Sequence, residues 1–133
     1  MSIFEDRVAI NDVLARYADA VNQRDAATWG ATWDAEGEWF LFGPDAIVGR
    51  DAIVTAWNKA MAGFPFVVMY VSQGAVAIDG DTASGRSYSS EVARTADGKN
   101  MRVYGCYEDR YRKRDGVWGF AYRRFSVLHS EEY

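Results

Sequence analysis

The chain is poor in the residues that bind metals and form cross-links. It carries one cysteine, Cys106, and one histidine, His129, in 133 residues. A single thiol excludes an intrachain disulfide and a cysteine zinc site, and a single imidazole excludes a multi-histidine metal site. No apolar run approaches the length of a membrane-crossing helix. The opening Met1-Ser2-Ile3-Phe4-Glu5-Asp6 lacks the basic start and apolar stretch of a secretion signal. Positive charge is scarce too: 15 Lys and Arg against 19 Asp and Glu leave a formal −4. That balance argues against a nucleic-acid partner and against attraction to an anionic membrane. Proline is limited to Pro44 and Pro65, so no proline-rich linker divides the chain, and residues 1–133 read as one domain. These absences predict a soluble, cytoplasmic protein with no metal and no cofactor.

Rings are what the chain has in excess: 5 Trp, 8 Tyr and 7 Phe. That exceeds what a minimal core needs, which predicts that some line a pocket. The first third reads as helical. Ser2 and Glu5 have capping-box spacing, and Ile10, Leu14, Tyr17 and Val21 form one stripe, which predicts a helix over 3–21. Asp25 can cap a short second helix bearing Trp29 and Trp33. Residues 38–42 read as a short strand ended by Gly43-Pro44. Asp51 can cap a third helix bearing Ile53, Trp57 and Met61, stopped by Gly63 and Pro65.

The pattern then changes. Asp79-Gly80, Asp97-Gly98 and Asp115-Gly116 are turn signals spaced 18 residues apart. They bound four strands, 66–78, 82–95, 100–114 and 117–128, in an antiparallel meander. Fourteen residues of straight strand would run about 45 Å, longer than such a domain is wide. The strands must therefore bend, with Gly85 and Gly105 as places for bulges. Alternation puts Met101, Val103, Gly105, Tyr107 and Tyr111 on the inner face. Arg102, Glu108, Arg110, Arg112 and Arg114 fall on the outer one. Glu108, Asp109 and Asp115 beside the basic run make it a solvated outer face. Ser87, Ser89 and Glu91 share one face of the second long strand, which suggests a polar inner wall.

Three helices, a strand between the second and third, and a meander of bent strands resemble the nuclear transport factor 2-like cone. Local segments are similar to SnoaL-like domains: Ala9-Ile10-Asn11-Asp12-Val13-Leu14-Ala15-Arg16-Tyr17-Ala18, Val48-Gly49-Arg50-Asp51-Ala52-Ile53, Ile78-Asp79-Gly80-Asp81-Thr82-Ala83-Ser84-Gly85, and the run from Tyr107 to Trp118. Asp34-Ala35-Glu36-Gly37-Glu38-Trp39 resembles the scytalone dehydratase and hexachlorocyclohexane dehydrochlorinase group. The resemblance implies an α+β fold, a strongly curved antiparallel sheet around the helices. It also implies a cofactor-free pocket for a small apolar ligand and assembly as a homodimer or homotrimer through the outer sheet face. Tyr88, Tyr104, Cys106 and Tyr122 would lie on that face.

In that group a His–Asp dyad works in the cone: Asp at the end of helix one orients His, which removes a proton so that water or chloride leaves. By position the Asp site falls on Asn22 and the His site on Tyr70, so neither residue matches. Trp39 and Arg123 do match, as a pocket ring and as the late-strand arginine facing the substrate. The ketosteroid isomerase donor resembles Tyr17, whereas its base position falls near Phe40-Leu41, with no carboxylate.

Each candidate has a functional and a structural reading. Tyr17 is a donor to a substrate oxygen or a core tyrosine. Tyr70 is a general acid or a packing residue. Glu91 is a general base whose pKa burial would raise, or an exposed or arginine-paired carboxylate. Arg123, facing inward with Ala121 and Phe125, is an anion clamp or one half of an ion pair. Asn22 is a helix cap or orients Tyr70 or a water. Trp39, Trp57, Val103, Tyr107 and Phe125 line the pocket or fill the core, and His129 falls on the surface near the chain's end. Together these predict a lyase or isomerase acting by proton transfer on an apolar cyclic or aromatic molecule, with Tyr17, Tyr70, Glu91 and Arg123 as its catalytic groups. The alternative is a binding domain with the same pocket and no chemistry. An epoxide-hydrolase-like site, needing two inward carboxylates and an arginine, ranks last because only Glu91 is placed inward.

Overall fold

A computed structural model describes residues 2–133. The first helix, α1 (Ile3–Gln23), starts on the expected capping box: the Ser2 hydroxyl accepts from the Glu5 amide, and the Glu5 carboxylate accepts from the Ser2 amide. Its stripe of Ile10, Leu14, Tyr17 and Val21 is buried. The helix is closed by Arg24 in the left-handed region at φ 53°. The Arg24 guanidinium donates to the Met61 carbonyl at 2.7 Å. Asp25 caps α2 (Ala26–Ala31), accepting from the Thr28 amide at 3.1 Å.

Several boundaries differ from the expectation: α1 runs on to Gln23, the short strand covers Trp33–Phe40 in place of 38–42, and the last strand runs to Glu132 in place of 128. Trp33 opens β1 (Trp33–Phe40) and is not part of α2. Its four-residue spacing from Trp29 is helical, but both rings reach the same core from different elements. Next, α3 (Arg50–Ala62) starts after Gly49, not on an Asp51 cap. Gly49 has φ 92°, a conformation that lets the chain turn out of β2 (Ile47–Val48), and Asp51 lies in the first turn.

The four long strands are β3 (Phe66–Asp79), β4 (Thr82–Arg94), β5 (Asn100–Arg114) and β6 (Val117–Glu132). They pair in sequence order as an antiparallel meander, and β1 adds to β6 in parallel, giving one curved, unclosed sheet in the order β2-β1-β6-β5-β4-β3. The α+β cone is therefore observed. Extra residues appear in β3 between Gln73 and Val76, and in β6 at Ala121 and at Leu128. The first of these lies opposite Gly85, where a Cβ would come within 2.5 Å of the Ala75 carbonyl oxygen. The β4–β5 pairing runs from Thr82 to Arg94 without a slip.

Helix α1 packs along β3 and β6 inside the curve. At the closed end of the cone, Asp6 accepts from Trp118 Nε1 at 2.9 Å and from Lys113 Nζ at 3.1 Å, which ties the start of α1 to the β5–β6 hairpin. At the other end, Asn22 grips the edge strand. Its Nδ2 donates to the Met69 carbonyl at 2.9 Å, and its Oδ1 accepts from the Met69 amide at 2.7 Å. Asn22 thus satisfies the edge of β3 as a neighbouring strand would; it is neither the helix cap nor a partner of Tyr70. Asn22→Ala leaves both Met69 groups unpaired, and a loss of about 2 kcal/mol in urea unfolding is expected.

Candidate functional site on the concave wall

The pairing registers stack the inner wall as a series of rungs from floor to mouth. Tyr111 and Phe120 pair at the floor. Asp109 pairs with Arg123, and Arg123 with Trp39. Next come Ser87, Tyr107 and Phe125, then Ser89, Gly105 and Val127, and at the mouth Met69, Glu91 and Val103. Four residues separate Ser87 from Glu91 along β4, about 13 Å of strand. The floor and the mouth are therefore separate environments.

The floor is closed. Trp29, Trp33, Trp39 and Trp57 pack together with Tyr17, Tyr111 and Phe120, all buried. Trp29 stacks on Trp57 with centroids 4.7 Å apart. Trp39 and Trp57, which the sequence leaves open as pocket or core rings, pack in the core. Arg123 is fully enclosed. Its Nε donates to Asp109 Oδ1 at 2.6 Å, and its Nη2 donates to Ser87 Oγ at 2.8 Å and to Asp109 Oδ2 at 3.3 Å. Ser87 in turn donates to Asp109 Oδ2 at 2.8 Å. Burial is the largest influence on the guanidinium and would lower its pKa, but the charge and hydrogen bond of Asp109 together with Tyr17 and Tyr107 outweigh it and leave the value raised.

This floor corrects two expectations. Asp109 is 2% exposed, not part of a solvated outer face. The sequence does carry a signal for it, because Asp109 shares alternation with Tyr107 and Tyr111. Ala121 does not face inward with Arg123, because it is the extra residue of a bulge, which restores Arg123 to the inner face after Phe120. Both Asp109 oxygens are occupied, so it is not a second water-orienting carboxylate of the epoxide-hydrolase kind.

The mouth is different. Glu91 is half-buried on the inner face and has no hydrogen-bond or ion-pair partner among the described residues; burial pushes its carboxyl up to about 7. Val103 beside it, and Phe125 two rungs toward the floor, are half-buried and apolar. Gly105 leaves room for the Phe125 ring, since a Cβ there would lie 2.2 Å from Phe125 Cε1. Between mouth and floor stand Tyr17 and Tyr107, with rings edge-on at 6.5 Å. Burial raises both phenols, and the Arg123 charge opposes the rise in each.

The wall thus gathers Tyr17, Tyr107, Arg123, Phe125, Val103 and Glu91 along one concave surface. It does not include Tyr70. That ring is 72% exposed on the outer face, where Tyr88, Tyr104 and Leu128 border the same groove. The reason is parity: Met69 is the inward residue, paired with inward Glu91, so its neighbour must point out. His129 lies on that outer face as well, its ring 6.1 Å from Tyr104.

The family model described as a SnoaL-like domain matches residues 2–124. The chain belongs to the SnoaL-like family. No curated protein matches its sequence. Among solved structures, a hexachlorocyclohexane dehydrochlorinase of type 2 superposes with a TM-score of 0.89 at 19% identity, covering 98% of this chain and 90% of the other. A protein named as a candidate scytalone dehydratase, from Novosphingobium aromaticivorans, superposes at 0.88 with 20% identity, covering 98% and 89%. A Mycobacterium tuberculosis protein of unknown function, Rv3472, is 30% identical with a TM-score of 0.81, covering 93% and 72%. The first two likenesses establish the nuclear transport factor 2-like fold. In this SnoaL-like chain the end of α1 offers Asn22 bound to main chain, and the carboxylate is Glu91, one strand farther into the sheet.

The raised Glu91 pKa has a signed consequence for stability. Folding holds the Glu91 proton more tightly than the unfolded chain does, so stability falls as pH rises from the ordinary glutamate value toward 7 and is level above. Glu91→Gln removes that penalty. At pH 8 it is expected to stabilise the protein by on the order of 2 kcal/mol in denaturant unfolding, and at pH 4 hardly at all.

Proposed function

We propose that this SnoaL-like protein is a cofactor-free lyase or isomerase that moves a proton on a small, largely apolar, cyclic or aromatic substrate. The observation that carries the reading is the unpaired, half-buried Glu91 carboxyl at the mouth, titrating near neutrality, on the same wall as the buried Tyr17 phenol. A base with a pKa near the working pH combines a useful ionised fraction with real proton affinity. In this reading Glu91 takes a proton from carbon and becomes a neutral acid. The released electron pair forms a carbon–carbon double bond and flows onto a carbonyl oxygen, or expels a leaving group. Tyr17 donates a hydrogen bond to the oxygen on which charge grows. Glu91 can then return its proton to a different carbon, which completes an isomerisation. Val103 and Phe125 hold the apolar body. The printed names of the dehydrochlorinase and dehydratase neighbours agree with elimination chemistry on this scaffold.

Tyr70 has no part in this proposal, and Asn22 contributes by holding β3. The outer face, with Tyr70, Tyr88, Tyr104 and Leu128 exposed, supports assembly as a homodimer or homotrimer.

The experiment is a titration followed by a screen. Carboxyl-resolved NMR should give Glu91 a pKa of about 7, and cyclic alcohols and ketones are then screened for elimination or isomerisation. Against any substrate found, Glu91→Gln should cut kcat by a hundredfold or more and Tyr17→Phe by roughly a hundredfold, with folding retained. A Glu91 pKa near 4 would overturn the catalytic reading. The same panel would then be scored for ligands that only raise the melting temperature, as a binding domain requires.

A further inference from the structure

Arg123 does not reach a ligand. Its side chain has no exposed surface. The guanidinium carbon lies 3.6 Å from the Tyr107 ring centroid, 4.2 Å from Phe120 and 4.5 Å from Tyr17. Asp109 and Ser87 take Nε and Nη2, and Nη1 has no hydrogen-bond partner in the structure. Along the wall the Tyr107 rung stands between the Arg123 rung and the mouth, and Tyr17 packs over the cation. The Ser87 hydroxyl is used in both senses, accepting from Arg123 and donating to Asp109, so neither the guanidinium nor the carboxylate is free to turn.

We propose that Asp109 and Ser87 are positioning residues that hold the Arg123 cation against the Tyr17 and Tyr107 rings, so that these two phenols, not the guanidinium, donate to one oxygen of the ligand. The assignment of a ligand oxygen rests on the proton-transfer reading above; the placement of the cation does not. A cation packed against a phenol draws electron density from the ring and strengthens the hydroxyl as a donor. Its charge opposes the effect of burial on both hydroxyls. The ligand class that follows carries a carbonyl or phenolate-like oxygen toward the phenols and an apolar body against Val103 and Phe125. Tyr107 becomes the second donor of the site, a place the exposed Tyr70 cannot fill.

The test uses the full chain with tyrosine labelled with carbon-13 at Cζ, the two signals assigned by Tyr17→Phe and Tyr107→Phe. The probe is 4-nitrophenolate, an oxyanion on a small ring. The variants are Ser87→Ala, which changes no charge, and Arg123→Lys, which keeps the charge and loses the fork. In Ser87→Ala both Cζ signals should move, and probe affinity should fall on the order of tenfold, equivalent to about 1.4 kcal/mol. The Glu91 titration should stay where it is. Arg123→Lys should behave alike; if it does not fold, Ser87→Ala decides. A Ser87→Ala protein that melts earlier, yet keeps both Cζ signals and the probe affinity within about twofold, would show a structural brace only and overturn the proposal. If the wild type does not take the probe, the ligand-oxygen reading fails; the Cζ signals of the free protein then decide the positioning role, and unmoved signals overturn it.

Discussion

The buried pair between Arg123 and Asp109 is the interaction that sets the arrangement around it. Two charges removed from water cost several kcal/mol each, and only close geometry with further hydrogen bonds offsets that. Three of the four long strands and α1 contribute to the offset. β4 supplies Ser87, β5 supplies Asp109 and the Tyr107 ring, β6 supplies Arg123 and Phe120, and α1 lays Tyr17 over the cation. Such a pair is poor evidence for stability, because well-packed apolar residues can replace it without loss. It does fix one geometry. The strands cannot slide past one another without leaving a charge unpaired, so the registers that carry the wall are tied to the pair.

A division of labour along the wall follows. The floor and the two phenols above it keep their charge state through the neutral range: Arg123 is held cationic, and Tyr17 and Tyr107 are held protonated by burial. At the mouth, Glu91 on the inner face has no partner among the described residues. Titratable groups whose environments push them apart in this way divide into acid and base roles. In the proposed reaction Glu91 is the group that exchanges protons near neutrality, while the phenols remain donors throughout.

Most of the fold is legible in the sequence because its signals are local. The Asp-Gly turns bound the meander, and the α1 stripe and its cap are read directly. For Tyr70 and Ala121 the error is one of phase. In β3 the run Phe66-Val67-Val68-Met69-Tyr70-Val71 is apolar on both parities, so alternation does not say which residue points in. Tyr70 could be placed only by analogy, and register with Glu91 reverses it. In β6 the extra residues at Ala121 and Leu128 break any count carried along the strand. Asp109 was hidden by its neighbours: Glu108 and Arg110 read as a charged outer stretch, although Asp109 lies in phase with Tyr107 and Tyr111. No pattern within Tyr17-Ala18-Asp19-Ala20-Val21-Asn22 announces that Asn22 will grip a main chain 47 residues away.

That grip bears on the absent dyad. In the dehydratase-like enzymes this chain resembles, the residue at the end of helix one is an acid that orients a base on the first long strand. Here the helix end carries an amide, which can donate and accept at once, and it spends both functions on the Met69 backbone. An aspartate could accept from the Met69 amide but could not donate to its carbonyl, so the clasp and the dyad are alternatives at this position. Met69 pairs directly with Glu91. The clasp therefore fixes the backbone on the same rung that presents the unpaired carboxyl. The helix end thus supports the main chain of the Glu91 rung, and the carboxylate stands on β4, one strand in from the clasped edge.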